Sequence, residues 1–395
     1  MEECWRWFGP GDPVPLAHVR QAGATGVVTA IHEHYRGEVW PEEAVARRKA
    51  EVEAAGLRWS VVESIPVPDA IKLGGAGAAD AIAAWCETLR RVARAGVTTV
   101  CYNFMPVVDW TRTALRHPMP SGGLALRFDM ASFAAYDALV LRRPGAAEAL
   151  PATLRDAAER RLAAMAPDEV EELERTVIAG LPGAEASNDR QAMRDRLAAY
   201  ADTSPDDLRL SLRRFHEAVV PVAREVGARL CIHPDDPPFG LFGLPRVVST
   251  AEDIRALLDA VPERENGLTF CAGSLGARED NDLPAILSEH LARVHFVHLR
   301  NVSTDPDGSF TEDDHLRGNA DMVRLLDLLL GEEGRRREEG RADARIPFRP
   351  DHGHLLLDDQ GKRTLPGYSA IGRLKGLAEL RGAIAALSHP VLGRT

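Results

Sequence analysis

The chain has 395 residues, a formal net charge of −11 and 45% hydrophobic residues, the profile of a globular protein with an ample core. That charge argues against nucleic acid as the main partner, and no apolar run approaches the ~20 residues of a membrane helix. The five cysteines are scattered without paired spacing, and the first residues carry neither a basic n-region nor an apolar h-region, so a cytoplasmic protein is expected.

In chain order, the aromatic residues 5–8 read as a strand closed by Gly9-Pro10. Residues 14–21 place Leu16 and Val19 at helical spacing, with Gly23 as the stop. A buried strand over 26–31 then ends in His32-Glu33-His34. The unit recurs: a helix over 42–55 stops at Gly56, and a strand over 57–62 ends in Glu63-Ser64. A helix over 81–95 stops at Gly96, and a strand over 97–101 ends in Tyr102-Asn103. A helix over 215–226 stops at Gly227, and a strand over 228–232 ends in His233-Pro234-Asp235-Asp236. A further helix stops at Gly267, and 268–270 leads into Cys271. Residues 294–297 lead into His298 and Arg300, and the segment around Ile346 and Phe348 leads into Asp351. Residues 368–387 read as a last helix that closes the structure.

Eight apolar strands interleaved with glycine-capped helices predict a (β/α)8 TIM barrel over 1–395 as one domain. An open doubly wound sheet is the alternative, but no strand is followed by Gly-x-Gly-x-x-Gly. The connection from 105 to 207 is longer than one crossover needs. Its part from 141 to 207 is rich in Ala, Arg, Glu and Leu, and reads as a helical insertion between strands 4 and 5, a lid or a subunit contact. The charge-dense run 331–341 reads as a solvated surface segment.

Barrel enzymes build their sites at the C-terminal ends of the strands. Four successive strands end in His233, Cys271, His298 and Asp351, all good ligands for a divalent transition metal. His298 shares its face with Val294 and Phe296, whereas His295 lies on the other and reads as a hydrogen-bonded core residue. Cys101 and Cys231 read as small buried hydrophobes. In Arg349-Pro350-Asp351-His352-Gly353-His354 an acid meets an imidazole beside a glycine that lets the chain turn, which suits proton transfer. The ends of other strands offer His32, Glu63, Asn103, Arg300 and Asn301 as substrate contacts. Arg300 fits a substrate carboxylate or a structural salt bridge equally well. Asp235 and Asp236, followed by two prolines, suit a rigid loop that orients His233, and Ser274-Leu275-Gly276 a turn, near a ligand or not.

Several segments together carry a resemblance: Arg6-Trp7-Phe8-Gly9, Trp59-Ser60-Val61-Val62-Glu63-Ser64-Ile65-Pro66, Tyr102-Asn103-Phe104-Met105-Pro106, Cys231-Ile232-His233-Pro234-Asp235-Asp236-Pro237-Pro238, His298-Leu299-Arg300-Asn301 and Arg349 to His354. With the stretch from Arg20 to Thr29 they run nearly end to end, and the chain resembles the mannonate dehydratase family of the xylose-isomerase-like barrel superfamily. The resemblance implies dehydration of D-mannonate to 2-keto-3-deoxy-D-gluconate in hexuronate (glucuronate) catabolism, assisted by Mn2+ or Fe2+. It implies His233, Cys271, His298 and Asp351 as metal ligands, and His352 and Tyr368, beside Asp351, as catalytic residues. A thiolate ligand by itself favours Zn2+ or Fe2+ over Mn2+. A homodimer or higher homo-oligomer is expected. His32-Glu33-His34-Tyr35-Arg36 departs from the pattern expected after the second strand. A sugar isomerase on the same barrel would need a second metal or a lysine at a strand end. A non-catalytic sugar-acid binding protein would have no use for the Asp351-His352 pair.

Overall fold

The structure is a computed structural model that describes residues 1–179 and 190–390. Residues 180–189 of the expected insertion, and 391–395 at the end of the expected domain, lie outside the described residues.

Twelve strands occur among the described residues: β1 (Glu2–Arg6), β2 (Gly26–Thr29), β3 (Arg58–Glu63), β4 (Thr99–Tyr102), β5 (Ala114–Pro118), β6 (Leu124–Phe128), β7 (Arg229–Ile232), β8 (Asn266–Cys271), β9 (Val294–His298), β10 (Asn301–Thr304), β11 (Phe310–Asp313) and β12 (Pro347–Arg349). Eight of them close a barrel in the order β1-β12-β9-β8-β7-β4-β3-β2, every pair parallel. The strands are apolar on both faces because both faces are covered. Outward residues such as Val27, Val62, Val100 and Leu230 pack with the surrounding helices. Cys4, Val28, Val61, Cys101, Cys231 and Phe296 form a separate buried cluster, the plug inside the barrel. By strand parity His233 and His298 stand one layer above Cys231 and Phe296 in this plug. Phe296 meets the His298 ring edge-on at 4.7 Å between centroids.

The expected elements recur with shifted ends. β1 starts and stops earlier than the aromatic run, so Trp7 and Phe8 leave the strand. Gly267 is no helix cap. It lies inside β8, where a Cβ would come 2.3 Å from the Arg293 carbonyl oxygen, so the glycine permits a close strand approach. The 331–341 run is no solvated segment either. It belongs largely to the helix Met322–Glu338, and Glu332, Glu333 and Arg336 are buried. Glu333 accepts hydrogen bonds from the Met1 ammonium at 2.9 Å and the Ile346 amide at 2.7 Å. Arg336 donates to the carbonyls of Leu291 and Val294 at 2.8 and 2.9 Å. These charges saturate backbone groups where the strands begin, at the end of the barrel away from the site.

A second, antiparallel sheet of order β10-β11-β6-β5 was not anticipated. One hairpin (β5, β6) follows barrel strand β4 and the other (β10, β11) follows β9. They meet where Phe310 pairs with Phe128, their rings stacked at 5.6 Å. The helices Ala146–Ala149, Ala152–Ala163, Pro167–Ala179 and Arg190–Ala199 follow; apolar residues of the last two join the core of this sheet, while Ala158 packs in a small separate cluster with Ala134 and Ala135. The chain returns to the barrel through Pro205–Glu225, opened by a capping box in which Ser204 and Asp207 satisfy each other's backbone amides.

Candidate active site

The barrel brings the ends of β7, β8, β9 and β12 together. His233 follows β7, Cys271 ends β8 and His298 ends β9, with Cys271 and Arg349 both in register with His298. One donor atom from each of His233, Cys271 and His298 lies within 4.8 Å of the others. The His233 Nδ1 is 2.6 Å from the Pro234 carbonyl, so Nδ1 carries the proton and Nε2 keeps its lone pair for a ligand. His298 turns Nδ1 to that lone pair, 3.1 Å from His233 Nε2, and Nε2 to Glu63 at 3.6 Å, so Nδ1 is the nitrogen placed to meet a cation. Two imidazoles and a thiol, with a carboxylate beside them, fit a divalent transition metal.

Asp351 stands at the rim of this cluster. Its Oδ2 is 3.8 Å from Cys271 Sγ and its Oδ1 4.0 Å from His298 Nδ1. Its φ of 68° is the left-handed region, costly for a residue with a side chain. Burial works to raise its pKa, but Arg349, His352 and Arg300 outweigh it and hold the carboxyl well below the ordinary range. Arg349 ion-pairs with Asp351 and reaches Glu63 at 2.8 Å. Glu63 also faces Arg6 at 3.3 Å and His298 Nε2 at 3.6 Å, and despite its burial is held well below the usual carboxylate range by Arg349, Arg6 and His298.

His352 is fixed at both ring nitrogens. Its Nδ1 lies 2.9 Å from both carboxylate oxygens of Glu312, and its Nε2 lies 3.3 Å from the Tyr368 hydroxyl. Trp110 meets the imidazole edge-on at 5.8 Å. Gly367, at φ 78°, is required here, because a Cβ would come 2.9 Å from the His352 ring. Burial pushes the Tyr368 phenol up to about 12, against the pull of Arg349. Glu312 is drawn down to about 2: burial opposes ionisation, but His352, Arg300 and Arg112 prevail. Arg112 donates to Glu312 and to Asp236 at 2.7 Å each. Arg300 bridges the same two acids, at 3.2 Å to Glu312 and 2.6 Å to Asp236, with Nε 3.4 Å from Asp351.

The substrate contacts expected from sequence fare unevenly. Glu63 and Arg300 border the site and half-buried Asn103 follows β4; Arg300 ion-pairs with three acids, the salt-bridge alternative, although its Nε makes no hydrogen bond. Asn301 does not fit a substrate contact. Its amide donates to the carbonyls of His315 and Ala320, and its oxygen accepts from the amides of Val302 and Ala320, so it fastens the 315–320 loop. His32 stands beside Phe8 and Tyr35. The Asp235-Asp236 pair splits: Asp235 holds the loop through Val248 and Ser249, while Asp236 joins the arginine network. Ser274 lies in a helical turn, 3.2 Å from Cys271 Sγ. His295 bonds the Arg264 carbonyl at 2.8 Å, outside the barrel plug. Glu312, Arg112 and Trp110 went unnoticed in the sequence. The alternation Phe310-Thr311-Glu312-Asp313 is the only signal that could have marked a strand bearing an inward acid.

The four arginines Arg6, Arg112, Arg300 and Arg349 thus face Glu63, Asp236, Glu312 and Asp351. Charges balance among these groups, so an incoming carboxylate gains net attraction only from an added cation.

A family model described as D-mannonate dehydratase (UxuA) matches residues 1–391. The chain is 56% identical over 389 residues to mannonate dehydratase 2 of Agrobacterium fabrum, with 98% of each chain covered. It is 53% identical over 390 residues to mannonate dehydratase of Chromohalobacter salexigens, covering 98% of this chain and 99% of that one. Among solved structures, mannonate dehydratase from Streptococcus suis serotype 2 superposes with a TM-score of 0.75 at 32% identity, covering 98% of this chain and 93% of that one.

Proposed function

The chain belongs to the D-mannonate dehydratase family, and from that premise we propose how its own residues convert D-mannonate to 2-keto-3-deoxy-D-gluconate and water. The observation that carries the reading is the His352–Tyr368 pair, 3.3 Å apart, beside the His233, Cys271 and His298 donors.

His233, Cys271, His298 and Asp351 are the candidate ligands of Mn2+ or Fe2+, which would supply Lewis acidity toward the substrate carboxylate and its neighbouring hydroxyl. Glu312 accepts the Nδ1 proton of His352 and so leaves Nε2 unprotonated, its lone pair toward the Tyr368 hydroxyl until substrate enters. That nitrogen takes the proton from C2. Tyr368, kept protonated by its burial, gives its hydroxyl proton to the C3 hydroxyl as the C3–O bond breaks and water leaves. The His352 imidazolium then returns a proton to the Tyr368 phenolate, and the pair is reset. The enol left on the substrate tautomerises to the 2-keto acid. Asp351 holds position through Arg349 and Arg300. Glu63, Asn103, His32 and Arg300 border the substrate, Arg300 reaching it only by exchanging one of its acids.

We place this reaction in hexuronate (glucuronate) catabolism, in the cytoplasm, in a homodimer or higher homo-oligomer whose 141–207 insertion in a single barrel domain is a lid or a subunit contact. All five cysteines are buried and free, and no described helix is long and apolar enough to cross a membrane. The test is an anaerobic assay of metal-reconstituted protein with D-mannonate, with chelator-treated protein as control. Metal-dependent release of the 2-keto-3-deoxy acid supports the reading; folded, metal-loaded protein that yields none overturns it.

A further inference from the structure

On the β1–β2 side of the barrel mouth, polar atoms that take no part in the proton transfers above are buried without partners. Arg6 ends β1 and His32 follows β2. Nε and Nη1 of Arg6, and both ring nitrogens of His32, are shielded from solvent and make no hydrogen bond. Arg6 Nη1 lies 3.3 Å from Glu63, an ion pair outside hydrogen-bond geometry. Buried donors and acceptors are nearly always satisfied, so a cluster of orphans marks a place where a ligand supplies the missing partners.

The cluster is held in place. The Phe8 and Tyr35 rings flank His32 at 5.6 and 6.1 Å, and the Arg6 guanidinium sits 4.9 Å over Phe8. Phe8 also meets Tyr368 edge-on at 4.7 Å, and Glu63 links Arg6 to His298. Arg6 therefore stands one side chain away from both Tyr368 and His298, and His32 one side chain away from Tyr368. That is within reach of the far carbons of a sugar acid whose C2 and C3 lie at His352 and Tyr368.

The chemistry of the cluster selects among ligand groups. Glu63 offsets the charge of Arg6. Burial, with Arg6 and Arg48 nearby, disfavours a charged His32 and lowers its pKa well below the ordinary value. A neutral imidazole offers one donor and one acceptor, the complement of a hydroxyl, and a guanidinium adds donors to the hydroxyl oxygen. No uncompensated positive charge remains for a second carboxylate.

We propose that Arg6 and His32 form the subsite for the sugar-acid hydroxyls remote from the reacting C2–C3 bond. The subsite prefers a long polyhydroxylated chain over a short one, and a terminal hydroxymethyl over a terminal carboxylate. The inference rests on the dehydratase reading and deepens it.

The test compares wild-type holoenzyme with His32→Phe, which keeps the stacking and removes both nitrogens, and with His32→Gln, which restores a donor and an acceptor. Each is assayed on D-mannonate and on a four-carbon aldonic acid of the same C2 and C3 configuration. Where the short acid is not turned over, its inhibition constant takes the place of kcat/KM. Metal content and melting temperature are measured for each protein. Wild-type activity on D-mannonate tests the dehydratase reading by itself. The subsite predicts that His32→Phe loses about 10- to 100-fold in kcat/KM on D-mannonate, chiefly through KM, and less than about twofold on the short acid, with partial recovery in His32→Gln. Equal losses on both acids, or no loss on D-mannonate, would overturn it.

Discussion

Both carboxylate oxygens of Glu312 lie 2.9 Å from Nδ1 of His352, although Glu312 is on the antiparallel sheet and His352 follows a barrel strand. The acid determines which ring nitrogen bears the proton and how the ring faces Tyr368. Glu312→Gln should lower kcat by about 10- to 100-fold with metal content unchanged. Glu312→Ala should also cost about 3–5 kcal/mol of stability, because Arg112 and Arg300 lose a buried counter-ion. Steady-state kinetics, metal analysis and denaturant melts check both. A Glu312→Gln enzyme with wild-type kcat would remove Glu312 from the mechanism.

His352→Ala should retain the bound metal and the fold and lose about 10²- to 10⁴-fold in kcat. Tyr368→Phe should lose turnover while keeping the 4.7 Å ring contact with Phe8, and therefore the fold. Normal turnover in either variant sinks the assignment of that residue.

Removing the metal should abolish turnover and free the thiol. Cys271 is buried, so chelation followed by a thiol reagent under mild denaturant should label it faster than in the metal-loaded protein. Cys271→Ala should purify with less than stoichiometric metal. Full metal occupancy in that variant would remove the thiolate from the ligand set.

Stability should fall on acidification in a window away from the site. His216 is buried against the Tyr102 hydroxyl at 2.5 Å, and burial, with Arg293 nearby, lowers its pKa to about 3. The unfolded chain binds this proton near pH ~6.5 and the folded chain only near the lower value. Stability from this group is therefore complete above the unfolded pKa and declines as pH drops toward the folded one. Urea midpoints at neutral pH and in mild acid should differ less in His216→Phe than in the wild type. An unchanged pH slope would contradict the assignment.

What the sequence determined by itself was the periodic part. Strand runs, glycine stops and the residue that ends each strand are local patterns, so the barrel and the positions of His233, Cys271, His298 and Asp351 could be read in order. Parity along β9 was enough to separate inward His298 from outward His295, because successive side chains alternate. Tertiary structure alone decided how the proton-transfer pair is held. Glu312 reaches His352 from a sheet formed where two hairpins pair across the barrel mouth, and Arg112 meets that acid across 200 positions of chain. Such contacts leave no spacing to read, since folding brings them together only after both loops have closed. The same reason covers Asn301, a strand-end amide that is used up by a loop, and Glu333, whose charge is buried against the Met1 ammonium. Local pattern places residues on a face or at a strand end; which partner satisfies each buried charge is a property of the assembled packing.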